Sequence, residues 1–171
     1  MKITKWYDES EAVGYIDRFL EKFDAGTLDG AEDAFLFYGA MSEGMLKSEE
    51  SDDDLEQEYA EIINDDIEEY GSLAYYFEVR GHPETKSLFV LTADEKKVGT
   101  WEGDYEPLPN INHHIYMDME PEVSLKIMKG DPNTDADFFA GDLTVDGPLK
   151  LAVKPRDWIV VFFDMIGREV D

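Results

Sequence analysis

Three histidines, 41 carboxylates and no cysteine set the chemistry open to this chain. Without a thiol, disulfides, thiolate catalysis and cysteine-ligated metals are excluded. His113 and His114 are neighbours on a strand pattern, so they point to opposite faces and one metal ion cannot easily take both. His82 sits in a turn, and no H-x-x-x-H spacing occurs. Asp131, Asn133, Asp135, Asp137 and Asp142 fall at the spacings of a calcium loop. Ala136 stands where that loop needs its turn glycine, the run ends in Asp rather than Glu, and a strand follows instead of a helix. It reads as a solvated acidic loop. No serine sits in a G-x-S-x-G elbow, and neither a G-x-x-x-x-G-K-[ST] loop nor a G-x-G-x-x-G turn occurs. Carboxylate pairs are too common to single out an acid and a base. The residues give no positive argument for an enzyme, so no catalytic residue, metal ligand or cofactor is assigned.

What remains is apolar chemistry. The 171 residues include 22 aromatics and seven methionines, and 43% are apolar. That is enough for one domain with a sizeable core. The formal net charge is −26, which repels phosphate backbones and anionic lipid heads. No nucleic-acid partner is expected on that ground. The longest strictly apolar run is Trp158–Phe163, six residues against the roughly 20 a membrane-spanning helix needs. Met1–Tyr7 lacks the apolar stretch of a signal peptide, so a cytoplasmic location is expected.

The elements that must position these side chains change character along the chain. Residues 1–70 carry a net −17 and read as helical; residues 71–171 carry −9 and read mostly as strands. Ala12, Ile16, Phe19, Leu20 and Phe23 give one helical face over Asp8–Asp24. Ala31–Leu46 is a second helical candidate, weakened by Gly39 and Gly44. The acidic connector Ser48–Asp54 divides an N-terminal helical extension, 1–50, from a domain spanning 51–171. Leu55, Tyr59, Ile62, Ile63, Ile67 and Tyr70 stripe a helix over Asp54–Tyr70. Then Leu73, Tyr75, Phe77 and Val79 alternate with Ala74, Tyr76 and Glu78, as a strand requires. Strands over Ser87–Thr92 and Lys96–Tyr105 follow after short turns, giving an antiparallel meander. A fourth strand is expected over Ile111–Met119, a helix from Pro121 to Lys129, a fifth strand over Asp142–Val145, and a helix from Gly147-Pro148 that Pro155 interrupts. Arg156–Gly167 is apolar nearly all round, so it should be buried or form a lid.

The stretch Asp137–Lys154 carries the most information. Phe138, Phe139, Gly141, Leu143, Val145, Gly147, Leu149, Leu151, Ala152 and Lys154 follow the pattern of the sterol carrier protein domain, which this region resembles. The order of elements over residues 52–166 is similar too. Asp142 and Asp146 depart from the family, whose members often carry Lys there. The resemblance implies an α+β fold: a curved, five-stranded, mainly antiparallel sheet covered by helices around an apolar tunnel. It also implies intracellular binding or transfer of a sterol, fatty acid or related lipid, without catalysis. The expected tunnel wall is Phe77, Phe89, Trp101, Met117, Met128, Phe138, Phe139, Leu143, Leu149, Leu151, Trp158 and Phe162. Met and large aromatics suit a wall that adapts to its ligand. Lys126, Lys129, Lys150 and Lys154 are the few bases nearby, so a sterol-like or neutral lipid is favoured over a multiply charged one. A second reading is a non-catalytic accessory subunit, using the acidic run Glu49–Glu58 for a basic protein partner or the apolar C-terminus for a homodimer.

Overall fold

The computed structural model describes residues 1–7, 14–131 and 133–168. Among these described residues six strands form one sheet in the order β1-β4-β3-β2-β5-β6. They are β1 (Lys2–Tyr7), β2 (Leu73–Val79), β3 (His82–Leu91), β4 (Lys96–Glu102), β5 (His113–Met119) and β6 (Leu143–Asp146). Only β2 and β5 pair parallel, in register from Leu73↔His113 to Val79↔Met119. Every other pair is antiparallel.

The sheet has six strands, not five. The extra one is β1, which lies in the segment expected to be purely helical. It adds to the edge of β4, with Ile3 opposite Trp101 and Trp6 opposite Gly99. Gly99 is required there: a Cβ would sit 2.7 Å from the Trp6 ring and 2.9 Å from the Lys5 carbonyl oxygen.

Alternation sends the two sets of strand side chains to two separate cores. Leu73, Tyr75, Phe77 and Val79 face the helices together with Phe89, Leu91, Val98, Ile115, Met117 and Met119. Ala74, Tyr76, Leu88, Val90 and Trp101 form the other core, closed by Ile3 and Trp6 of β1 and by Tyr105, Leu108 and Ile111 of the β4–β5 loop.

Among the described residues seven helices complete the fold: α1 (Tyr15–Ala25), α2 (Ala34–Ser48), α3 (Asp54–Tyr70), α4 (Pro121–Met128), α5 (Asp135–Ala140), α6 (Leu149–Ala152) and α7 (Lys154–Met165). Residues 8–13, where the first helix was expected to begin and where Ala12 lies, are outside the described residues. Asp53 caps α3 by accepting from the Leu55 and Glu56 amides. Gly44 lets α2 come close to α3 and α7, because a Cβ there would lie 2.8 Å from Met165 Cε and 3.1 Å from the Tyr59 ring. Phe19, Phe37 and Met45 of the N-terminal segment share one core with Tyr59, Phe162 and Phe163. Pro155 opens α7 rather than interrupting a helix, since the first turn has no use for the amide that Pro lacks. Trp158, Ile159, Val161, Phe162 and Phe163 bury α7 against α3 and the sheet. Among the described residues no helix is long and apolar enough to cross a membrane.

Candidate functional site

An apolar pocket lies between the helix-covered face of the sheet and the helices over it. Its floor is Phe77, Phe89, Met117, Met119 and Leu143, contributed by β2, β3, β5 and β6. The pairing Phe77↔Met117 and Met119↔Leu143 sets these side chains side by side. Tyr38 and Met41 of α2 form one wall; Trp158 and Ile159 of α7 form the opposite one. The remaining lining residues are Ile127, Thr134, Ala152, Pro155 and Arg156; all but Thr134 are partly exposed, so the pocket meets the surface on this side, its mouth.

Aromatic geometry fixes the floor. Tyr38 stacks on Phe77 at 4.3 Å between ring centroids, and Phe89 meets both rings edge-on. Burial pushes the Tyr38 hydroxyl well above the usual tyrosine range, so it stays neutral. Trp158 stands edge-on to Tyr75 and donates its indole N–H to Asp66 Oδ2 at 2.8 Å. Asp66 is itself buried on α3 and also meets Lys154 Nζ at 3.4 Å. Tyr75 donates its hydroxyl to the Leu151 carbonyl at 2.8 Å, which ties α6 to the sheet.

The cavity measures about 50 Å³. Pockets that hold drug-sized ligands run to roughly 300–1,000 Å³. In this conformation the space is closed down by its own side chains. The three methionines on its wall, Met41, Met117 and Met119, are the ones able to repack.

Five of the twelve expected wall residues line this pocket: Phe77, Phe89, Met117, Leu143 and Trp158. The other seven lie elsewhere. Trp101 is on the opposite face of the sheet, donating to the Ser87 carbonyl at 3.1 Å. It lies three residues from inward-facing Val98, and odd spacing along a strand reverses the face. Met128 and Leu151 are buried in the main core outside the pocket wall. Phe162 is fully buried one layer deeper, among Phe19, Phe37, Tyr59 and Phe163. Phe138, Phe139 and Leu149 are at the surface, 36%, 84% and 55% exposed. Tyr38 and Met41 are on the wall without having been expected, because they belong to the N-terminal segment. Met119 and Ile159 were readable: Met119 shares the strand face of Met117, and Ile159 adjoins Trp158.

The calcium-like run is occupied by side-chain cations. Lys126 Nζ meets Asp137 at 3.0 Å and the Asn133 carbonyl at 2.6 Å, and Arg156 pairs with Asp135. Among the described residues no group of three or more His, Cys, Asp or Glu is placed to hold a metal ion. Neither His113 nor His114 is on the pocket wall. His114 Nδ1 meets the Tyr76 hydroxyl at 2.9 Å on the other face of the sheet. A separate open groove of about 790 Å³ runs along α3, lined by Glu49, Glu61, Asp65 and Glu68. Lys96, buried at its base, pairs with Glu49 at 2.7 Å.

No protein-family model matches the chain, and no curated protein does. Among solved structures, the sterol carrier protein domain 2 of Helicoverpa armigera is similar at a TM-score of 0.36 and 22% identity. The match covers 67% of this chain and 90% of that one.

Proposed function

We propose that this chain binds a slender apolar ligand, a lipid such as a sterol or fatty acyl chain, in the pocket between the sheet and α7, and carries it without chemical change. The observation behind this reading is the composition of the pocket wall: half of its fourteen residues are aromatic or methionine, and the rest are apolar except Thr134 and Arg156. Transfer of an acyl chain into such a site gains about 0.8 kcal/mol per methylene. A closed cavity of about 50 Å³ must first open. The segments suited to move are α5 and, once the Tyr75–Leu151 hydrogen bond breaks, α6. Of α5 no residue is buried, and of α6 only Leu151 is. Segments with little buried apolar surface open at the lowest cost. Their movement would part Thr134 and Ala152 and leave the sheet floor intact.

The test is native mass spectrometry of the purified protein, then solvent extraction and lipid analysis, with Ala152→Phe as the pocket-filling variant. The expected result is an apolar small molecule near one per chain, displaced by added fatty acid or sterol and lost in the variant. An empty protein whose melting temperature no lipid shifts would sink the reading.

The small volume of the cavity favours one second reading. A pocket filled by its own side chains suits a non-catalytic interaction module, whose acidic α3 groove would receive a basic protein segment. That module would come through the same lipid panel unshifted and bind a Lys/Arg-rich peptide in a manner abolished by Glu61→Lys and Asp65→Lys.

A further inference from the structure

We propose that the apolar rim beside the pocket mouth docks this chain on an electrically neutral, zwitterionic lipid surface. The inference rests on the pocket reading, which requires a ligand to be collected from and returned to an apolar phase.

The rim is Phe138, Phe139, Leu149 and Val153, between 36% and 84% exposed. These are large carbon side chains on segments whose folding does not need them outside. Phe138 and Phe139 pack on one another edge-on at 5.7 Å. Spacing and one ion pair join the two halves of the rim. Phe139 is one helical turn beyond Asp135 on α5. Leu149, Val153 and Arg156 follow one another at four and three residues along α6 and the start of α7. Arg156 pairs with Asp135, and Arg156 and Thr134 are both on the pocket wall. The exposed side chains therefore belong to the two segments that meet at the opening.

Charge selects the partner. Residues 121–157 hold seven acids and five bases, a net −2, whereas the remaining 134 residues carry −24. This segment is close to neutral, so it opposes a lipid surface less than the chain as a whole does. Nor does it favour an anionic lipid, because four of its five bases are engaged and Lys129 is the exception. Lys126 is on Asp137, Arg156 on Asp135 and Lys154 on Asp66, and Lys150 lies over the Tyr70 ring at 5.0 Å. A second copy bringing a further −26 would meet self-repulsion. A basic protein has a better-matched surface in the acidic groove of α3. A zwitterionic interface accepts phenyl rings at the acyl boundary and asks for no net charge.

The experiment is flotation of the full chain with phosphatidylcholine vesicles, at about 0.15 M and about 0.5 M salt. It compares wild type with Phe138→Ser/Phe139→Ser. We expect wild type to float with the vesicles at both salt concentrations and to bind phosphatidylglycerol vesicles more weakly. The double variant should lose about tenfold or more in vesicle affinity while melting within about 2 °C of wild type, as surface substitutions do. Wild type that stays at the bottom, a variant that floats equally well, or preference for phosphatidylglycerol would overturn the proposal. So would a concentration-dependent dimer in size-exclusion chromatography that the variant breaks, since a second copy would then cover the rim. The variant's uptake of a fluorescent fatty acid from vesicle-free solution separates the two readings. Retained uptake with no wild-type flotation ends the docking proposal alone; flotation with no uptake by wild type ends the pocket reading alone.

Discussion

Asp66 joins stability to the pocket, and its removal has a size that can be worked out. Its Oδ2 accepts the Trp158 indole N–H at 2.8 Å, and its Oδ1 lies 3.4 Å from Lys154 Nζ. Both Asp66 and Trp158 are buried, so water cannot take over the indole when the carboxylate is gone. A hydrogen bond to a charged group contributes about 1.5–3 kcal/mol, and a buried donor left unpaired costs about 1–3 kcal/mol. The Lys154 contact adds little, since that side chain is partly exposed. Asp66→Ala should therefore cost about 3 kcal/mol. Asp66→Asn keeps an acceptor for the indole and should cost about 1 kcal/mol. For a chain of 171 residues each kcal/mol moves the melting temperature by about 2–4 °C. Asp66→Ala should then melt about 6–12 °C below wild type. Urea unfolding of Asp66→Ala, Trp158→Phe and the double variant closes a cycle whose coupling energy should exceed about 1 kcal/mol. Additive single effects, or Asp66→Asn as unstable as Asp66→Ala, would refute the reasoning. Because Trp158 is a wall of the pocket, Asp66→Ala should also weaken lipid uptake more than its stability loss alone explains.

Three further outcomes are expected. Gly99→Ala should cost about 1–3 kcal/mol by driving a Cβ into Trp6, and hydrogen exchange should show residues 2–7 opening before the rest of the sheet. Burial, with help from neighbouring His113, holds the His114 pKa below the ordinary histidine range. The neutral ring is thus the folded form, so its contribution is complete above about pH 6.5 and is lost as pH falls through the lower folded value. The urea midpoint should drop between about pH 7.5 and about pH 5.5 in wild type and drop less in His114→Gln; equal slopes would exclude His114 as the cause. Finally, 41 acids against 15 bases repel one another in the folded state, so the melting temperature should rise between low salt and about 1 M KCl. A flat or falling trend would mean that local ion pairs outweigh the net field.

The elements with strong local periodicity were legible in the chain. The α3 stripe, the alternation of β2 and the start of α4 at Pro121 all depend on neighbours within a few residues. β1 was not, although Ile3 and Trp6 carry strand propensity. Its partner β4 lies more than ninety residues away, and nothing local says which edge a six-residue strand will join. Gly39 and Gly44 counted against α2 on propensity, yet Tyr15 lies against Gly39, and Tyr59 and Met165 against Gly44. Packing outweighed the roughly 1 kcal/mol each glycine costs a helix. The site was half legible for a similar reason. Strand parity placed Phe77, Phe89, Met117 and Leu143 on the inner face, and the same parity, applied from Val98, places Trp101 outside. Phe138 and Phe139 were expected on the wall from the resemblance carried by Asp137–Lys154, and the structure leaves both exposed. On α5 the acids are the anchored groups: Asp135 is held by Arg156 and Asp137 by Lys126, no residue of the helix is buried, and both rings are left exposed. How this six-residue helix is held depends on cations supplied by α4 and α7, and no periodicity within α5 encodes them. An exposed pair of phenyl rings is costly in water unless it has somewhere else to go, and that is the physical case for a lipid surface at the pocket mouth.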